Sequence, residues 1–80
     1  MLNEIRDVLR EHAELPCDLD TLDLHDDLYR AGMTSHAGVN VMLALEERFD
    51  IEFPDELLVR SSFSSIAGIE RTVSRLVRPS

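Results

Sequence analysis

The chain has 80 residues, of which 44% are hydrophobic and 30% are charged, and its formal net charge is −8. This length predicts a single domain over residues 1–80, with a modest core and little room for an enclosed active site. All eight basic residues are arginines, and the 16 acidic residues outnumber them two to one. Phosphate backbones and anionic lipids would repel such a chain, so a nucleic acid or a membrane surface is a poor candidate partner.

The cysteine content and the N-terminal residues indicate in which cellular compartment we expect the protein. Cys17 is the only cysteine, which excludes a disulfide within the chain. Residues 1–12 carry charges throughout and show no apolar signal segment, and no apolar run approaches membrane-spanning length. We therefore expect a protein of the reducing cytoplasm.

Three segments have helical periodicity. Residues 2–13 form one apolar stripe that ends before Pro16, and residues 65–77 form another that Ser64 or Ser65 can cap. Residues 35–49 predict the strongest helix, with Thr34 or Ser35 as the cap. At 100° per residue, the expected core face of this helix consists of Val39, Met42, Leu43, Leu45 and Phe49.

The connecting segments complete the predicted fold. Residues 14–34 form a long acidic loop with one helical turn over 26–30, and Gly32 suits the end of that turn. Residues 50–54 predict an extended connection, followed by a short helix that Asp55 caps. The expected fold is all-α: a small four-helix bundle with three longer helices, one short helix and a long first loop.

One serine stands at the start of the strongest helix. The turn 28–34 delivers Ser35 to the N-terminus of the helix over 35–49. Serine at this position is usually a helix cap. The same position also favours a negatively charged group such as a phosphate ester, because the helix dipole is positive there. Physical chemistry alone leaves both roles open.

The segment 32–36, Gly-Met-Thr-Ser-His, resembles the modification motif of acyl and peptidyl carrier proteins, in which Gly-x-Asp-Ser-Leu opens the second helix. Residues 39–56 and 63–66 also match the pattern of that family, so the resemblance covers nearly the whole chain. It implies an acyl-carrier-like helical bundle without catalytic residues of its own. It further implies that a phosphopantetheinyl transferase attaches 4'-phosphopantetheine to Ser35.

Two departures from this motif indicate the cargo. Thr34 replaces the usual Asp and His36 the usual Leu, and Ala37 and Asn40 stand where fatty acid carriers tend to have acids. Together with residues 31–36, 39–43 and 53–55, these features resemble bacterial aminoacyl carrier proteins. Such carriers are loaded by amino acid:carrier protein ligases that are similar to seryl-tRNA synthetases.

The narrower resemblance implies a function. The chain would hold a small amino acid, glycine or alanine, as a thioester on the arm and would pass the cargo to an acceptor that the sequence does not specify. The sequence gives no reason to expect a stable oligomer, so we expect a monomer. Two alternatives stay open. One is an acyl carrier of a specialised fatty acid or polyketide pathway, and the other is an unmodified acidic helical adaptor.

The resemblance also implies a docking surface for partner enzymes around Ser35. We expect this surface to include Thr34, His36, Ala37, Asn40, Val41, Ala44 and Arg48. Gly38 lies among them, and a small residue there would serve either close partner approach or internal packing.

Other combinations of residues indicate no further chemistry. Ser35 and His36 are adjacent on a helix, point about 100° apart and do not form a nucleophile–base pair. The aspartates of residues 18–27 lack the glycine and the terminal glutamate of a calcium-binding loop. Cys17 with His12 and His25 offers too few ligands for structural zinc. We therefore predict no metal site, and weak binding of a divalent cation by the acidic loop stays an open alternative.

Overall fold

A computed structural model describes residues 1–58 and 60–77, with Arg60 described by its backbone only. Within these residues the fold is all-helical, and no strand occurs. The helices are α1 (Leu2–His12), α2 (Leu28–Ala31), α3 (Ser35–Phe49), α4 (Arg60–Phe63) and α5 (Ile66–Leu76). Two 3-10 turns, Leu19–Thr21 and Asp55–Leu57, lie in the connections. The prediction of a bundle with three longer helices and a long first loop is confirmed.

The short elements differ in detail from the predicted ones. The predicted turn over 26–30 is α2, whereas the predicted short helix near Asp55 is only a 3-10 turn. Asp55 does not cap this turn, because Pro54 occupies the capping position and no side chain accepts a hydrogen bond there. Helix α4 was not predicted from the sequence. Its four residues contain too little periodicity to distinguish a helical turn from a loop.

The three long helices enclose one core. α1 packs against both α3 and α5. The largest fully buried side chains come from all three long helices and from α2, and they are Ile5, Leu9, Leu28, Val41, Leu45, Ile66, Ile69 and Val73. Helical spacing places the buried residues of α1 on one face of that helix, and it does the same for those of α5. The removal of these apolar side chains from water stabilises the bundle.

Side-chain caps define where the two longest downstream helices begin. Thr34 Oγ1 accepts a hydrogen bond from the amide of Ala37 at 3.0 Å, and Ser65 Oγ accepts one from the amide of Gly68 at 3.0 Å. Both caps had been predicted, each as one of two candidates, and each satisfies an amide that has no partner within its helix.

The C-terminal end of α3 is held by its own glutamate. Asp50 adopts the left-handed conformation with φ of 54°, and its amide donates to the carbonyl oxygen of Glu46. The Glu46 side chain reaches the connection that follows the helix, where its Oε2 accepts a hydrogen bond from the amide of Phe53 at 2.8 Å. Periodicity placed Glu46 near the apolar arc of α3, and this bond to the following connection accounts for its position.

The long loop is fixed to the rest of the fold by hydrogen bonds. The amide of Leu28 donates to the carbonyl oxygen of Ser64 at 2.7 Å, and the amide of Ala67 donates to that of Leu24 at 2.9 Å. These two bonds attach the loop to the junction of α4 and α5. They also determine where α2 lies and hence where the chain enters α3.

An arginine links the same loop to α1. Arg10 Nη1 lies 2.8 Å from Asp7 Oδ1, and its Nη2 lies 2.7 Å from Asp20 Oδ1 in the first 3-10 turn. The hydrogen bond to Asp20 and the negative charge of that carboxylate both raise the pKa of Arg10 above its ordinary value.

Helix α3 buries a different face from the predicted one. Leu45 is buried as expected, and Met42 and Phe49 are partly buried and pack against the core, but Val39 and Leu43 are 51% and 52% exposed. Ala37 and Val41 are fully buried instead. Two faces of α3 are apolar. The periodicity of the sequence predicts that the face with the larger side chains is buried, whereas the observed packing buries the face with the smaller ones. None of the described helices is long and apolar enough to cross a membrane.

Candidate functional site at the start of helix α3

A tightly packed turn brings Ser35 to the surface. Gly32 has φ of +125°, and a Cβ atom at this position would lie 2.6 Å from Pro16 Cδ. The next residue, Met33, is buried, and its amide donates to the carbonyl oxygen of Leu28 at 3.0 Å. Only glycine meets both the positive φ and the contact with Pro16. The backbone just before Ser35 is thus held from two sides.

Thr34, and not Ser35, provides the helix cap. Ser35 is the first residue of α3 and is exposed. The first backbone hydrogen bond of the helix runs from the amide of Gly38 to the carbonyl oxygen of Thr34, at 2.9 Å. The amides of Ser35 and His36 precede this bond and lie at the positive end of the helix dipole. The residues therefore fit a phosphate ester on the Ser35 hydroxyl, which capping does not require.

An apolar groove begins at Ser35. Its volume is about 370 Å³, and apart from Ser35 it is lined by Tyr29, Gly38, Val39, Met42, Leu58 and Phe63. Val39 and Leu58 are among the few large hydrophobic residues that are exposed, at 51% and 43%. Phe63 is buried and stacks edge-on against Phe53, with ring centroids 5.2 Å apart. The groove therefore has one wall on α3 and another formed by Leu58 and α4.

Gly38 allows α2 to pack closely on α3. A Cβ atom at Gly38 would lie 3.1 Å from the phenolic oxygen of Tyr29 and 3.6 Å from its Cε1. Gly38 is buried. Of the two roles predicted for a small residue here, the structure supports internal packing, because Tyr29 occupies the space that a partner would need.

The predicted docking residues do not all reach the surface. Ala37 and Val41 are fully buried, so the prediction that they contact partners is wrong for this conformation. The reason is the rotation of α3 relative to the predicted core face. Val39 and Leu43 are the exposed apolar residues of α3 instead, and they were missed as surface residues because periodicity assigned them to the core.

The other predicted docking residues are accessible to different degrees. Thr34, His36 and Arg48 are exposed, whereas Asn40 and Ala44 are half-buried. Arg48 Nη2 also lies 3.8 Å from Asp7 Oδ2 on α1. A role of these five residues in docking stays a prediction.

The acidic loop has a structural use. Asp27 Oδ1 accepts hydrogen bonds from the amides of Tyr29 and Arg30 at the start of α2. Asp18 and Asp26 likewise accept bonds from backbone amides within the loop. In residues 1–58 and 60–77, no three His, Cys, Asp or Glu side chains converge in a way that could hold a metal ion. Cys17 is exposed.

Comparison with known proteins agrees with the geometry around Ser35. Residues 3–73 match the family described as "Phosphopantetheine attachment site". The chain belongs to this family of carrier proteins. It is also 51% identical over 73 residues to the aminoacyl carrier protein of Agrobacterium fabrum (strain C58 / ATCC 33970), which covers 91% of this chain and 88% of the relative. The chain is therefore a carrier protein of the aminoacyl type.

Two solved structures share its fold closely. Both are crystal structures of an engineered Bradyrhizobium japonicum glycine:carrier protein ligase complexed with a carrier protein from Agrobacterium tumefaciens, one with AMP and one with ATP. The AMP complex matches with a TM-score of 0.91 and 51% identity over 92% of this chain and 99% of that one. The ATP complex matches with a TM-score of 0.90 and 50% identity over 92% and 96%.

Family membership establishes what kind of protein this is. It is a carrier and not an enzyme, and its prosthetic group is 4'-phosphopantetheine. When attached, this group supplies a thiol that can hold a carboxylic acid as a thioester. The chain itself contributes the attachment point and the helical fold that holds it.

Proposed function

We propose that Ser35 is the phosphopantetheine attachment residue and that the arm carries a small amino acid, glycine or alanine. The observation behind this proposal is that capping and attachment fall to two different residues at the start of α3. Thr34 caps the helix, and the neighbouring exposed serine is left available at the positive end of the dipole. The match to the attachment-site family over residues 3–73 supports the same assignment.

The loading partner that we propose is an amino acid:carrier protein ligase similar to seryl-tRNA synthetases. Support comes from the carrier protein that is 51% identical and that forms a complex with a glycine:carrier protein ligase. A phosphopantetheinyl transferase would act first, to attach the arm. Both enzymes need access to Ser35, which lies on an exposed helix end.

A docking surface for these enzymes can now be redefined from the structure. We propose that it comprises the accessible members of the predicted set together with the exposed apolar residues of α3: Thr34, His36, Val39, Asn40, Leu43, Ala44 and Arg48. Exposed apolar side chains that form a contiguous patch commonly mark a contact with a partner. The acidic net charge of the chain, −8, favours basic partner surfaces.

Intact-mass measurement tests the attachment residue. The wild-type chain and the variants Ser35→Ala and Ser61→Ala are each incubated with coenzyme A and a broad-specificity phosphopantetheinyl transferase. Ser61 is an exposed serine of α4 and serves as the matched control. We expect one phosphopantetheine to be added to the wild type and to Ser61→Ala, and none to Ser35→Ala. An unmodified wild type would indicate the adaptor alternative, and a modified Ser35→Ala would place the arm elsewhere.

Loading of the modified carrier tests the cargo. The holo protein is incubated with ATP, a ligase of the proposed type, and glycine, alanine or fatty acids in separate reactions. We expect a hydroxylamine-sensitive mass gain with glycine or alanine. Loading with fatty acids alone would instead support an acyl carrier of a specialised pathway. A single domain, a monomer and a cytoplasmic location stay predictions.

A further inference from the structure

The side chains of this protein include no primary amine. The chain has no lysine, and all eight of its basic residues are arginines. Within these 80 residues the remaining amine is that of Met1, which lies 3.6 Å from Glu4 Oε1 as an ion pair. The proposed cargo makes this composition relevant, because an aminoacyl thioester reacts with amines.

Lysine and arginine differ in their reactivity toward a thioester. A neutral lysine amine attacks the carbonyl carbon of the thioester, so that a C–N bond forms, the C–S bond breaks, and the thiol leaves with the proton that the amine loses. A lysine side chain has a pKa of about 10.4 and keeps a small neutral fraction at physiological pH, whereas a guanidinium group stays protonated and offers no lone pair. Thiols do not reverse the amide that a lysine forms, so the cargo would stay on the surface permanently.

The proposed arm brings the cargo close to the surface of its own carrier. Ser35 is exposed at a helix end, and the fold measures only 35 × 23 × 19 Å. A group on a short flexible tether meets nearby side chains at an effective concentration on the order of millimolar. An amine within reach of the arm would therefore compete with the true acceptor for as long as the carrier is loaded.

Hydrogen-bond geometry explains the arginine at one position. Arg10 binds Asp7 through Nη1 at 2.8 Å and Asp20 through Nη2 at 2.7 Å. The planar guanidinium fork provides these donors in fixed positions, which a lysine ammonium does not. Arg10 thus has a structural reason to be arginine.

Geometry does not explain the arginine at three other positions. Arg30, Arg71 and Arg75 are exposed, and among the described residues their guanidinium groups form no ion pair and no hydrogen bond. Lysine would supply the same positive charge there. Arg30 also lies in α2, only five residues before Ser35, where an amine would be near the base of the arm.

We propose that the lysine-free composition keeps the surface of the carrier inert toward its own aminoacyl thioester. The inference rests on the cargo proposed above. It implies that the nucleophile that accepts the amino acid comes from a separate molecule, and that transfer to the carrier's own side chains does not deplete the loaded form. A lysine placed near Ser35 should then capture the cargo as an amide.

The conservative variant Arg30→Lys tests this, because it retains the positive charge and adds one amine. The wild type and the variant are loaded with glycyl-coenzyme A by a broad-specificity phosphopantetheinyl transferase, which attaches the arm and the amino acid together. Hydroxylamine then cleaves every thioester, and intact mass shows the glycine that remains as an amide. We expect roughly tenfold more resistant glycine in Arg30→Lys than in the wild type, because the tether holds the amine and the thioester together. Equal amounts in the two proteins would overturn the inference.

Two controls isolate the new amine and the tether. Arg30→Gln removes the guanidinium group without adding an amine, and Arg30→Lys combined with Ser35→Ala keeps the amine but has no arm. We expect neither protein to retain glycine after hydroxylamine. Retention in Arg30→Gln would show that the loss of arginine is the cause, and retention in the doubly substituted chain would show transfer from free glycyl-coenzyme A. Either result would contradict the proposal.

The readout distinguishes an amide from transfer to the exposed thiol of Cys17. Such a transfer exchanges one thioester for another, and hydroxylamine cleaves both. Peptide mapping then locates the resistant glycine, which we expect at position 30 of the variant. An equal amount at the Met1 amine of the wild type would count against the proposal, because the unaltered chain would then already carry a reactive amine.

This experiment and the loading experiment with the ligase fail separately. If the ligase loads the wild type with glycine or alanine while Arg30→Lys forms no resistant amide, the proposed cargo stands and the inference about lysine is overturned. If the ligase loads the wild type only with fatty acids, the proposed cargo is overturned, and the role of the lysine-free surface is overturned with it.

Discussion

Helices α1 and α3 both show apolar periodicity in the sequence, yet their apolar residues are placed differently in the structure. α1 buries Ile5, Val8 and Leu9, and its exposed residues are all polar or charged. α3 buries Ala37, Gly38, Val41 and Leu45 and leaves Val39 and Leu43 about half exposed. The apolar residues of α1 thus all serve the core, whereas α3 has two apolar faces and the core uses one of them.

The difference supports the docking surface that we propose on α3. Exposed apolar side chains do not stabilise the isolated fold, and grouped on one helix face they mark a contact surface. In α3 they begin one turn after Ser35, the proposed attachment residue. α1 lacks such a surface, which is consistent with a purely structural role.

The largest effect is expected from a pair of leucines in α3. Leu45→Ala should reduce the free energy of unfolding by about 2–5 kcal/mol, because it opens a cavity at a fully buried site. Leu43→Ala, two residues away and half exposed, should change it by only about 0.5 kcal/mol. Urea denaturation followed by circular dichroism measures both. Equal losses would show that Leu43 belongs to the core after all and would remove the distinction between the two faces.

The turn that precedes α3 should be the next most sensitive position. Gly32→Ala should cost about 1–3 kcal/mol, because alanine is strained at φ of +125° and its Cβ would contact Pro16. In a double-mutant cycle, adding Pro16→Ala should recover part of the loss by relieving the contact while the backbone strain remains. A neutral Gly32→Ala would indicate that the turn before Ser35 is not rigid.

The smallest effects should separate the cap from the attachment site. Thr34→Ala should cost about 1 kcal/mol, since the amide of Ala37 loses its partner, whereas Thr34→Ser should retain the cap. Ser35→Ala should change stability by no more than about 0.5 kcal/mol while abolishing modification. Thermal unfolding of the three variants measures this difference. A large loss of stability in Ser35→Ala would mean that Ser35 has a structural role as well.

Much of the fold could be predicted from local signals. The helix predicted over 35–49 is α3 with the same bounds, because its apolar periodicity, a capping threonine and a run of good helix formers over residues 42–48 all favour a helix there. α1 and α5 were predicted to within one residue at each end. Helix α4 and the first 3-10 turn were not predicted, and the short helix predicted at Asp55 is a 3-10 turn, since one turn of helix depends on tertiary contacts more than on its own sequence.

The functional features also divide into those that a local sequence pattern predicts and those that depend on tertiary packing. The sequence determined the family, the prosthetic group and the place of Ser35 at the start of a helix, because these depend on a local motif and on capping chemistry. Only the tertiary structure decided which face of α3 is buried, that Val39 and Leu43 lie outside, and that Tyr29 packs on Gly38 to form a groove. A helix with two apolar faces satisfies the same periodicity in either orientation. The choice between them depends on how closely α1 and α2 approach, and no local pattern encodes that distance.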